Sequence, residues 1–119
     1  MATKQPLIQS EKVGNGVLIT LMTQELLEEG MIASLEQSLL QTVEQADVMN
    51  FAINFEHVSF LSSAVLRSLI KVNTAVNKMD GQLILCSINR KVFEVFKITH
   101  LDNILDIRDD VESALASFQ

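Results

Sequence analysis

Two hydrophobic periodicities take turns along this chain. Leu7 to Val13 and Val17 to Met22 are extended-type runs on either side of Gly14-Asn15-Gly16, whose residues tolerate positive φ, so the first stretch predicts a β-hairpin. From Met31 to Ala46 the apolar residues Met31, Ile32, Leu35, Leu39, Leu40 and Val43 recur at three- and four-residue steps. Glu36, Gln37, Gln41, Glu44 and Gln45 stand between them, which is the signature of an amphipathic helix. Asn50 to Phe55 (NFAINF) alternates again and reads as a strand. Val65, Leu66, Leu69, Ile70, Val72, Val76 and Met79 then form one broad stripe, a helix that begins near Ala64 and stops at Asp80-Gly81. Gln82 to Ile88 (QLILCSI) is a strand covered on both faces. The strand, helix, strand order implies a right-handed crossover between parallel strands. A short helix over Arg90 to Ile98 sets Val92, Phe93, Val95 and Phe96 on one side. Ile104 to Ile107 is briefly extended, and a last helix over Asp109 to Phe118 buries Val111, Ala114, Leu115 and Phe118. The predicted order is β-β-α-β-α-β-α-β-α. It describes one α/β domain spanning 1–119, with a small mixed sheet of about five strands flanked by about four helices.

Composition narrows the function. The single cysteine, Cys86, lies in an apolar run, so it reads as a buried core thiol, and no disulfide framework is available. The first residues lack the apolar core of a signal peptide, and no run approaches the ~20 apolar residues of a bilayer span. A cytoplasmic protein without membrane insertion is expected. The net charge of −6 argues against direct nucleic-acid binding, which draws its affinity from clustered Lys and Arg. Trp and Tyr are absent, which disfavours base-stacking platforms. A protein partner fits better.

The chemical inventory is sparse. His57 and His100 belong to no ligand pattern and read as solvated or capping residues, so neither a metal nor another cofactor is expected. Glu25, Glu28 and Glu29 suit the positive end of the first helix, and Asp106, Asp109 and Asp110 the start of the last, with Asp109 or its neighbour as N-cap. No phosphate-binding glycine loop is present, so nucleotide hydrolysis by this chain is not expected. What remains is the segment Phe60-Leu61-Ser62-Ser63-Ala64-Val65-Leu66-Arg67, preceded by Ser59. One serine suffices to cap a helix. A second hydroxyl in the first turn is exposed at the positive end of the helix dipole, a place that accepts a phosphate. Phe60 and Leu61 are expected to anchor the loop, with Ser62 as the cap. Both readings of the second serine, cap and modification site, stand at this point.

The stretch from Ile53 to Arg67 resembles the strand-loop-helix signature of STAS domains, specifically the bacterial anti-sigma factor antagonists. Gly81 to Ile88 is similar to the family's next strand, and Val92 to Leu101 (VFEVFKITHL), followed by Asp102, to its later helix and turn. The resemblance covers nearly the whole chain in the family's order. It implies a small sheet flanked by helices and a regulatory serine at the start of the second helix. It also implies a non-enzymatic role in partner switching, in which an anti-sigma factor that is itself a serine protein kinase is captured until it phosphorylates its captor. Carried over position by position, the acceptor is Ser63, with Ser62 as second choice, and the partner-binding set is Ser59, Ser62, Ser63, Ala64, Val65, Arg67 and Lys71. The chain departs from the family pattern at Val65, where the family has glycine, and at Ser62, often Asp. The alternative implied by the same family is a scaffold or accessory subunit, stressosome-type or transport-associated, that is never phosphorylated. A serine nucleophile activated by His57 lacks any accompanying triad or oxyanion pattern. A homodimer through the open edge of the first hairpin is a further expectation.

Overall fold

A computed structural model of the chain describes residues 6–118. The hairpin is β1 (Ile8–Val13) and β2 (Gly16–Leu21), antiparallel, with Val13 opposite Gly16. Its turn is therefore Gly14-Asn15 alone; Gly14 takes φ +60°, and Gly16 belongs to the strand. A two-residue strand, β3 (Glu25–Leu26), precedes α1 (Glu29–Gln45). Next come β4 (Asn50–Asn54), a second two-residue strand β5 (Phe60–Leu61) and α2 (Ser63–Lys78). The chain closes with β6 (Gln82–Cys86), α3 (Arg90–Ile98), a 3-10 turn over Leu101–Asn103, β7 (Asp106–Arg108) and α4 (Val111–Ala116).

The main sheet runs β1-β2-β4-β6-β7, and every pairing after the hairpin is parallel. Strand alternation divides its side chains between two cores. Val17, Ile19, Leu21, Phe51, Ile53, Leu83 and Leu85 point to one face, where they meet Leu35 and Leu39 of α1, Leu69 and Val72 of α2, and Phe96 of α3. Leu18, Ala52, Ile84 and Cys86 point to the other, under Ala114 of α4. The middle strands are buried on both sides and therefore read as continuous apolar runs. Cys86 is fully buried, and desolvation pushes its thiol up to about 11.

Several boundaries differ from expectation. The last strand is Asp106–Arg108 and not Ile104–Ile107, because residues 101–103 coil into the 3-10 turn and leave Ile104 exposed. Asp106 consequently pairs with Arg108 at 2.6 Å and does not serve the last helix. That helix is capped by Asp110, whose Oδ1 accepts the Ser113 N–H at 2.7 Å. Glu25 lies in β3, while Glu28 occupies the N-cap position of α1 and Glu29 its first turn. At the end of α2, Asp80 adopts φ 60°. Gly81 donates its N–H to the Val76 carbonyl, and its missing Cβ lets the chain pass against the Met49 backbone.

Because β2, β4 and β6 are parallel, their carboxyl ends lie at one edge of the sheet, and the loop from Phe55 to Ser62 is held there from both sides. Phe55 is buried edge-to-face on Phe96, with centroids 6.3 Å apart, and Val58 is buried beside it. The Ser59 and Phe60 N–H groups donate to the Gln24 carbonyl at 2.7 and 3.2 Å, and the Ser62 N–H to the Leu26 carbonyl at 2.9 Å. On the opposite flank, Asn89 Nδ2 donates to the Val58 carbonyl at 2.9 Å, while its Oδ1 caps α3 by accepting the Val92 N–H at 2.8 Å. The pairing of β3 with β5, Glu25 with Phe60 and Leu26 with Leu61, completes the clamp.

Two stability predictions follow from these contacts. Gly81→Ala forces a methyl group into the Met49 carbonyl and is expected to cost about 2–3 kcal/mol in urea unfolding, whereas Gly30→Ala, where a Cβ meets only the Glu28 carboxylate at an ordinary 3.8 Å near the start of α1, stabilises by about 0.5 kcal/mol. Asn89→Asp keeps the cap acceptor but loses the donor to Val58. It should leave α3 helical while hydrogen exchange at Ser59, Phe60 and Ser62 accelerates; Asn89→Ala loses both functions and about 2 kcal/mol. Unchanged exchange in Asn89→Asp would refute the clamp.

Candidate partner-docking site

The clamped loop delivers the chain to the start of α2 in a defined position. Ser62 is the N-cap by backbone geometry, with φ −91° and ψ 165°, yet its side chain makes no capping bond. Its Oγ is buried and, among the described residues, has no hydrogen-bond partner. The expected hydroxyl cap is therefore not formed; the Val65 N–H donates instead to the Ser62 carbonyl at 3.1 Å. Ser63, the first residue of the helix, is exposed. The two adjacent serines thus face opposite environments, one tucked in and one presented to solvent.

The other proposed contact residues separate in the same way. Ser59 is exposed on the loop, Ala64 is half-buried and Arg67 is exposed one turn beyond Ser63. Val65 is a correction. It is fully buried among the core residues, so it cannot touch a partner. It sits in regular helix, where no positive φ is required and a β-branched side chain fills core space. Lys71 is exposed but engaged, its ammonium 3.4 Å from Glu36 Oε2 on α1. The other Glu36 oxygen accepts the hydroxyl of the buried Ser68 at 2.8 Å, so one carboxylate ties α1 to α2 just behind the site.

Around Ser63 the surface is apolar with charges of both signs, the exposed Glu25 lying opposite Phe60 and Glu29 sharing a groove with Ala64 and Arg67. Phe60, expected as a loop anchor, is 47% exposed, and the Lys91 ammonium of α3 lies 5.7 Å from its ring centroid. Leu27, next to the Leu26 carbonyl that holds Ser62, is 54% exposed. Only Leu61 of the loop pair turns inward against the core. Leu27 lies far from Ser63 in sequence and is brought near by a pairing of two-residue strands, which leaves no local pattern. Asn89 did carry a signal, as a capping residue type just before a predicted helix, but its bond to the loop did not. His57 and His100 are both exposed, His100 at φ 62° in the turn that ends α3.

Such a surface can bind through apolar contact and paired charges, and it holds one exposed hydroxyl at the helix start. Comparisons with known proteins agree on its lineage. The family model described as the STAS domain matches residues 9–114. BtrV of Bordetella bronchiseptica, which carries the name of an anti-sigma factor antagonist, is 27% identical over 105 residues, covering 88% of this chain and 89% of that protein. Among solved structures, an anti-sigma-factor antagonist (STAS) domain protein from Planctomyces limnophilus superposes with a TM-score of 0.81 at 21% identity, covering 92% of this chain and 95% of that one. The Bacillus cell fate determinant SpoIIAA in its phosphorylated form superposes with a TM-score of 0.66, also at 21% identity, over 89% of this chain and 95% of that one. With a family match over most of its length and the same mixed sheet and helices, this chain belongs to the STAS domain family.

Proposed function

We propose that this chain is an anti-sigma factor antagonist that captures an anti-sigma factor through the surface around Ser63 and is released when Ser63 is phosphorylated. The observation that carries the reading is the exposed Ser63 hydroxyl, set on a rigid loop-helix junction between the half-exposed Phe60 and the cationic Arg67. The partner is a serine protein kinase. It transfers the γ-phosphoryl group of a nucleoside triphosphate to Ser63 Oγ; the Oγ–P bond forms, the bond to the β-phosphate oxygen breaks, the diphosphate leaves and the serine proton passes to the kinase. This chain acts by binding, in the cytoplasm, and supplies only the acceptor.

Three physical features support the assignment. The first turn of a 16-residue helix tolerates added negative charge, so modification leaves the fold intact. The same charge is poorly matched to an interface formed around a neutral hydroxyl, and it alters affinity without refolding. Phe60 offers an aromatic anchor of the kind that dominates binding energy. The Ser62 hydroxyl is buried and is a poorer substrate, which favours Ser63 of the two.

Incubation with the cognate kinase and a nucleoside triphosphate, followed by mass spectrometry, is expected to place one phosphate on Ser63. Ser63→Ala should abolish it, whereas Ser62→Ala should preserve it and cost no stability, since no capping bond is lost. Ser63→Asp is expected to weaken partner binding at least about tenfold, or ~1.4 kcal/mol. Undiminished binding in Ser63→Asp would make the chain a constitutive scaffold instead. Phe60→Ala should likewise weaken binding about tenfold by calorimetry, with an unchanged unfolding midpoint.

A further inference from the structure

Of the two α2 cations nearest its start, Arg67 and Lys71, Arg67 is the one without an ion pair among the described residues. Lys71 is committed to Glu36, and Lys91 lies over the Phe60 ring. Among the described residues Arg67 forms no ion pair, and its side chain is exposed. It stands four residues after Ser63 on a continuous helix, a spacing that brings two side chains onto one face with Cβ atoms about 5–6 Å apart. The capping position at the head of the same turn is unused by Ser62. We infer that Arg67 receives the phosphate once Ser63 is modified, closing an intramolecular clamp along α2.

The inference rests on the preceding reading of Ser63 as the acceptor and adds a second arm to the switch. A guanidinium presents a planar fork of N–H donors that fits two phosphate oxygens at once, which an ammonium cannot match. In the unmodified protein that side chain is exposed along the groove between α1 and α2 and is available to an acidic partner. After modification it turns to the phosphate, so the same event adds negative charge to the surface and removes the cation beside it. The groups that share the groove with Arg67 are Glu29 and Glu36 from α1 and Lys71 from α2. Glu36 is already occupied by Ser68 and Lys71, which leaves Glu29 as the competing anion, with a single charge against nearly two on the phosphate.

Phosphoserine placed at position 63 of the full chain during translation makes the test independent of any kinase. In a phosphorus NMR titration the phosphate is expected to lose its last proton about half a unit lower in pH with Arg67 present than in Arg67→Gln. Arg67→Lys should restore part of the difference and Lys71→Gln none of it. A midpoint that is the same in the parent and Arg67→Gln, or that moves as much with Lys71→Gln, overturns the clamp. Partner binding measured on the same phosphoprotein separates the two ideas. Undiminished binding despite a shifted midpoint removes the switch and leaves the clamp, whereas lost binding with an unshifted midpoint removes only the clamp.

Discussion

Everything at the functional edge depends on the parallel pairing of β2, β4 and β6. Parallel strands finish at the same side of a sheet, so the segments that leave them must share that edge. Here those segments are the run from Met22 to β3, the loop from Phe55 to Ser62, and the short link from Ser87 to Asn89. Each provides part of the junction. The first accepts loop N–H groups on the carbonyls of Gln24 and Leu26; the second carries the serines; the third sends Asn89 back to Val58. Parallel pairing is in turn held by burial on both faces, with α1, α2 and α3 over one core and α4 over the other.

The junction is rigid because hydrogen bonds and packing act together. Asn54 is buried at the end of β4, and its side chain both accepts the Glu56 N–H at 3.1 Å and donates to the Glu56 carboxylate at 2.8 Å, which turns the chain out of the sheet. Phe55 and Val58 then plug the loop into the core, leaving Ser59 and Phe60 facing outward. A binding loop on a fixed scaffold loses little entropy when it docks. That economy suits the proposed role, in which one partner is gained and lost by a change of charge alone.

Charge at the junction is mixed. The chain as a whole is acidic, and the junction sets Arg67, Arg90 and Lys91 on the starts of α2 and α3 beside Glu25 of β3 and Glu29 of α1. Glu36 draws Lys71 away from this group and uses it to brace α1 against α2. The exposed ion pair is itself worth little. The buried Ser68 hydroxyl matters more, since without Glu36 it would depend on the 3.4 Å contact to the Ala64 carbonyl alone.

The sequence alone determined the class of the fold and the order of nearly all its elements, because apolar periodicity is a local property that survives without neighbours. The double-sided run of β6, the stripe of α2 and the positions of the serines were all legible in this way, and the ordered resemblance named the family. Tertiary structure decided what each residue at the site faces. That Ser62 is tucked in and Ser63 presented, that Val65 is core and Phe60 surface, and that Lys71 is engaged while Arg67 is not, all depend on which strand ends meet. The pairing of β3 with β5 and the bond from Asn89 to Val58 join segments about thirty residues apart. Contacts of that span leave no periodic trace in the chain, since their stability comes from a scaffold that exists only once the sheet has formed.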